Sequence, residues 1–168
     1  MRVGLALAQI PVGLGEVAAA GPGSECGELV AHGLGSCVAV CLFDPLNRVA
    51  GLAHVVLPGS DPFDRPNARF AGTALPALLE ALVAVGGSNE LRRYKARLAG
   101  GANVLTGASS LPRIGALNLV AVRAALASAD ICVVAEDVGG GRGRTVWFDP
   151  RDGGRIRVRS IGGAEVRV

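Results

Sequence analysis

The chain has 168 residues, half of them hydrophobic but only 4% aromatic, and a formal net charge of +3. That length suits one domain spanning 1–168 with a core of its own, built from Ala, Val and Leu. The charge is too mild for a dedicated nucleic-acid binder, which carries a strong basic patch. No run approaches the 18 apolar residues of a membrane span. The N-terminal MRVGLALAQIPVG stops at Pro11 without a charged leader or cleavage site and reads as mature sequence. Cysteines stand at 26, 37, 41 and 132 with no CxxC pair. Free thiols in a reducing cytoplasm are expected, with no membrane insertion.

In chain order, the first informative stretch is GLGSCVAVCLFDP, Gly33 to Pro45. Cys37–Phe43 is a continuous apolar run, which predicts a strand buried on both faces. Asp44-Pro45-Leu46-Asn47 is turn chemistry, with Pro presetting φ and Asn tolerating positive φ. Val49–Leu57 predicts a second strand, stopped by Pro58-Gly59, so the two form an antiparallel hairpin. DPFDRPNARF is a loop. Thr73 is placed to cap a helix over Ala74–Val85, whose Leu75, Leu78, Leu79, Leu82 and Val83 make one apolar stripe. Pro76 is expected in its first turn and Gly86-Gly87 at its end.

Tyr94–Leu98 predicts a strand running into Gly100-Gly101. A second helix covers about Leu117–Leu126, and Ile131–Ala135 predicts another buried strand. GGGRGR, Gly139–Arg144, is a turn rather than an RNA-binding segment. Thr145–Phe148 and Arg155–Arg159 flank Asp152-Gly153-Gly154 as a closing hairpin. Arg155, Arg157 and Arg159 alternate with Ile156 and Val158, as on a half-buried strand with a solvated basic face; a docking surface for an acidic partner is the alternative. Hairpins mixed with two main helices indicate an α+β domain, sheet packed against helices.

Cys37 carries the chemical interest. A thiol attacks as its thiolate and needs a base or a positive environment. The sequence offers His32 and His54, and His54 lies on the second arm of the hairpin, 17 positions on. With a four-residue loop, Pro45 to Arg48, His54 stands opposite Ala39, diagonal to Cys37 and on its face. A three-residue loop, Pro45 to Asn47, puts the two on opposite faces unless a bulge intervenes. Gly33 and Gly35 let backbone approach a substrate, so Gly33, Gly35 and Ser36 are candidates for binding substrate or an oxyanion. Against this stands the plain reading of both residues as core packing. A zinc site from Cys26, Cys37, Cys41 and His54 lacks the usual ligand spacing, and no metal is expected. No Gly-rich stretch has P-loop residues. Glu136-Asp137 is a weak carboxylate pair.

GLGSCVAVCLFDP followed by GLAHVVLP resembles the core signature of CheD, the chemoreceptor glutamine deamidases. VGLGEVAAA at 12–20, RLAGGANVL at 97–105, IGALNLVAV at 114–122 and AEDVGGGRGRTV at 135–146 resemble later and flanking blocks of that family in the right order. The resemblance implies a layered α/β/β sandwich of mixed sheets, a cysteine-hydrolase fold similar to deamidating toxins. It implies Cys37 as nucleophile and His54 as its partner, acting without a cofactor on glutamines of chemoreceptor cytoplasmic helices. It also implies binding to a CheC-type phosphatase; the chain alone is expected to be a monomer. The family's third catalytic residue, a threonine six positions before the cysteine, is replaced by Ala31. His32 is adjacent, but in a strand it points to the other face. A catalytically weak adaptor for a CheC-type partner is the alternative function, and a thiol protease or esterase a third.

Overall fold

The computed structural model describes residues 8–22, 27–104 and 113–168. Two helices and two five-stranded sheets make up the described part. The strands are β1 (Gln9–Pro11), β2 (Val17–Ala20), β3 (Glu28–Leu34), β4 (Val38–Asp44), β5 (Val49–Val55), β6 (Lys95–Gly100), β7 (Cys132–Val138), β8 (Arg144–Phe148), β9 (Ile156–Ser160) and β10 (Glu165–Arg167). The helices are α1 (Ala71–Ala84) and α2 (Ile114–Ser128). A central sheet runs β2-β5-β4-β6-β7 and an outer sheet β1-β3-β8-β9-β10. Both are mixed: β6–β7 and β1–β3 are parallel pairs among antiparallel neighbours.

The central sheet lies between the helices and the outer sheet, so β4 and β5 are buried along their whole length. Alternation sorts their side chains. Val38, Val40 and Leu42 pack with Leu75, Leu78, Leu82, Leu119, Val122 and Leu126 of the helices. Cys37, Ala39, Cys41 and Phe43 pack with Leu29, Ala31, Val146, Phe148, Ile156 and Val158 of the outer sheet. Strands covered on both sides explain why the hairpin reads as an unbroken apolar run rather than an alternating one.

The hairpin closes through four residues. Asp44 pairs with Val49 and Ala39 with His54. Asp44 is fully buried and makes the turn itself: its Oδ1 accepts from the amides of Leu46 and Asn47, and Arg93 binds it at 3.0 Å. The positive φ falls on Arg48, at 54°, and not on Asn47. Asn47 instead donates to the Gly86 carbonyl at the end of α1.

Several boundaries differ from expectation. Helix α1 starts three residues early, at Ala71 after Phe70, and no side chain caps it. Thr73 sits inside the first turn, where its hydroxyl donates to the Phe70 carbonyl. Pro76 therefore lies in the helix interior. The end is as expected: Gly87 N–H reaches Leu82 O and Gly86 N–H reaches Val83 O, a Schellman pairing. Strand β7 is half-exposed at the edge of the central sheet, not buried, with Cys132 facing solvent. The closing hairpin forms as β8 and β9. Among its arginines Arg157 binds both Glu28 and Glu165, and Arg157 and Arg159 lie over the Trp147 ring. The solvated-face reading of that strand holds.

Candidate functional site

The segment before β4 bends out of the outer sheet. The β3–β8 ladder shifts register between Ala31 and Leu34, and Gly33 takes a φ of 67° there. This bulge returns Leu34 to the core side, after which Gly35 and Ser36 carry the chain to the central sheet. Cys37, 8% exposed, stands at the junction. The next contacts come from the β6 end. Gly101 N–H donates to Cys37 O at 2.7 Å and Ala102 N–H to Gly35 O at 2.8 Å. Gly100 has a φ of 104°, and a Cβ there would collide with the Cys37 carbonyl oxygen. The GGGRGR turn backs this strip through Gly139 N–H to Gly100 O and Asn103 N–H to Gly140 O. Arg144 holds the turn by bonds to Gly139 O, Arg142 O and Asp137. Asp137 is thus structural, and Glu136 pairs with Arg123.

His54 is 1% exposed. Paired with Ala39, it shares the inter-sheet face with Cys37 and is its diagonal neighbour across the hairpin. The turn at 12–16 grips it three times. His54 N–H donates to Glu16 O, Gly15 N–H donates to His54 O, and the ring Nδ1 lies 3.1 Å from Val12 O. A carbonyl only accepts, so Nδ1 carries the proton. Nε2 is then the basic atom, and it is buried with no hydrogen-bond partner among the described residues.

The electrostatics favour an uncharged resting pair. Burial pushes the Cys37 thiol above its ordinary value, partly opposed by the residue's own backbone N–H. Burial lowers the His54 imidazole, opposed by the Val12 bond and the charge of Glu16. Among the described residues no cation acts on Cys37 to supply the positive environment that a standing thiolate needs. Cys41, four residues on, is buried and its thiol is pushed far up, as for a packed side chain.

The expected site residues divide. Cys37 and His54 lie on one face as diagonal neighbours, with no hydrogen bond between the thiol and Nε2. Gly33 is exposed at the bulge, and the Gly35 amide is spent on Gly33 O at 2.9 Å. Among the described residues the amides of Ser36 and Cys37 have no backbone acceptor. Ala31 is fully buried in the same inter-sheet core as Cys37. His32 faces outward, edge-on to Trp147 with ring centroids 6.4 Å apart. Among the described residues no group of three His, Cys, Asp or Glu is placed to hold a metal ion, and Cys26 lies outside the described residues. No helix among them is long and apolar enough to cross a membrane.

Two features escaped sequence reasoning. The Val12–Glu16 turn is one; VGLG ahead of a strand announces a turn but not its partner. The other is Asn118, whose signal was present, since it falls on the core-facing stripe Gly115, Leu119, Val122, Leu126 of α2. It is fully buried and its Nδ2 donates to Ser36 O at 2.9 Å and Val56 O at 3.0 Å.

The class of protein described is an α+β sandwich with a buried cysteine and a buried histidine on one face where a loop enters the central sheet. The chain belongs to the CheD family. The family model for CheD chemotactic sensory transduction matches residues 56–166, beginning two residues past His54. Curated relatives extend further. A Thermotoga maritima protein named chemoreceptor glutamine deamidase CheD is 41% identical over 155 residues, 92% of this chain and 93% of its own. A Halalkalibacterium halodurans protein of the same name is 42% identical, covering 81% of this chain and 85% of its own. A Moorella thermoacetica protein named "Probable chemoreceptor glutamine deamidase CheD" is 45% identical over 81% of this chain and 83% of its own. At 92% coverage the part left out is too short to reach Cys37 from either end.

Proposed function

We propose that this chain is a chemoreceptor glutamine deamidase, a protein-glutamine glutaminase acting in chemotaxis through Cys37 and His54. The observation that carries the mechanism is the free, buried Nε2 of His54, its ring fixed from the other side by Val12 O. As Cys37 Sγ attacks the side-chain carboxamide carbon of a receptor glutamine, Nε2 takes the thiol proton. The oxyanion that forms is met by the amides of Ser36 and Cys37. Collapse breaks the C–N bond, and the imidazolium gives its proton to the departing ammonia. Nε2 then takes a proton from water, whose oxygen attacks the thioester. Glutamate leaves and the thiol is restored. No cofactor enters. The scaffold accords with a cysteine hydrolase similar to deamidating toxins, working in the cytoplasm as a monomer that also binds a CheC-type phosphatase.

The replacement at Ala31 favours a second reading, a weakly active adaptor for that phosphatase. Mass spectrometry of a receptor cytoplasmic fragment incubated with the protein separates them. Deamidation appears as a shift of about one dalton per glutamine, lost with Cys37→Ala. No shift with the wild-type chain, alongside phosphatase binding that survives Cys37→Ala, supports the adaptor. An equal shift with Cys37→Ala removes Cys37 as nucleophile.

A further inference from the structure

We infer that Asn118 is a positioning residue that clasps the thiol-bearing arm to the histidine-bearing arm; this rests on the Cys37–His54 reading. Cys37 stands outside the regular ladder, since β4 begins at Val38 and β5 ends at Val55. The cross-strand pairing that sets the rest of the hairpin includes His54 and stops one residue short of Cys37. Beyond that point each arm has a free carbonyl: Ser36 O, one residue before the thiol, and Val56 O, two after the imidazole. Asn118 Nδ2 donates to both, at 2.9 and 3.0 Å. With two carbonyls as neighbours that atom must be the NH2 group, which fixes the orientation of the amide.

Helix α2 supplies the anchor. Asn118 is fully buried and flanked by Leu119 and Val122 in the helix-side core. One side chain from a third element therefore joins the two arms just past the last ladder pair, where Cys37 leaves the sheet. Its Oδ1 is buried without a partner among the described residues. A leucine of the same size would leave the Ser36 and Val56 carbonyls without this donor, so the amide is there for those two bonds and not for packing alone.

His54 and Asn118 are varied in the full-length chain, and the alkylation rate of Cys37 by iodoacetamide is followed, located by peptide mass spectrometry. In the wild-type background His54→Ala slows alkylation, because the imidazole no longer takes the thiol proton. Asn118→Ala is expected to slow it about 10²-fold, the scale of an ångström's misplacement. In that background His54→Ala is expected to add little, since the two are already uncoupled. Circular dichroism and the melting temperature check that each variant is folded, and Asn118→Ser, too short to reach both carbonyls, replaces alanine where it is not. A folded Asn118 variant with wild-type alkylation, or one in which His54→Ala keeps its full effect, overturns the clasp. Equal alkylation of wild type and His54→Ala instead overturns the pair itself.

Discussion

At the scale of single residues, the site is governed by what His54 bonds to. A hydroxyl at position 31 is one way to orient an imidazole. Here the Val12 carbonyl does so, at 3.1 Å from Nδ1, and the turn at 12–16 also binds both main-chain groups of His54. The thiol is raised and the imidazole lowered, both by burial. On the proposed mechanism the active form is the neutral pair, thiol plus free Nε2. Turnover, as kcat/KM, is expected to rise with pH through a group below the ordinary imidazole value of 6.5 and to stay level from pH 7 to about 9. A thiolate–imidazolium pair predicts the reverse above neutrality, a fall as the imidazolium loses its proton. The same shift bears on stability. His54 binds its proton less readily folded than unfolded, so its contribution is present above pH 6.5 and lost as pH falls through the lowered value. Denaturant titrations of wild type and His54→Ala between pH 7 and 5 should converge toward the acid end.

At the scale of elements, the hairpin and the strip that supports it decide the geometry. Gly100 lets the β6 end pass beside the Cys37 carbonyl, at a φ of 104°. Gly100→Ala combines that collision with left-handed strain and is expected to cost about 1–3 kcal/mol or more in denaturant unfolding. A change within a few tenths would mean that the strip moves aside freely. The hairpin was readable in the sequence because turn chemistry and an even loop have few solutions; the four-residue alternative is the one that forms, and it puts His54 on the face of Cys37. The start of α1 was not. Thr73 looks like a cap, but Ala71 N–H and Gly72 N–H donate to Leu57 O and Gly59 O, and that tertiary pairing extends the helix upstream. Strand β7 reads as buried because Ile131–Ala135 is apolar, yet nothing in a sequence says which strand will be the edge. Asn118 and the 12–16 turn act through contacts about forty residues away or more, and no local pattern encodes such a partner.

At the scale of the whole molecule, β4 and β5 belong to both cores at once, one face to the helices and the other to the outer sheet. Arg144 and Asp137 tie the two sheets directly, one from each. The layers are therefore expected to unfold together. Trp147, the single tryptophan, reports on the outer sheet, and far-ultraviolet circular dichroism reports on the helices across the molecule. Coincident urea transitions by the two probes are predicted. A tryptophan transition at clearly lower urea would make the outer sheet a separate unit. Around that sheet Arg151, Arg157 and Arg167 are paired with Asp149, Glu28, Glu165 and Asp152.

The central claim is that Cys37 and His54 work together with alanine at position 31. The most direct measurement is the initial rate of ammonia release from a receptor cytoplasmic fragment, compared for the wild-type chain, Ala31→Thr and Cys37→Ala. The wild type is predicted to stay within about tenfold of Ala31→Thr, because Val12 already orients the ring, and both to exceed Cys37→Ala by about 10³-fold or more. A wild-type rate no higher than that of Cys37→Ala, with activity appearing only in Ala31→Thr, would contradict it.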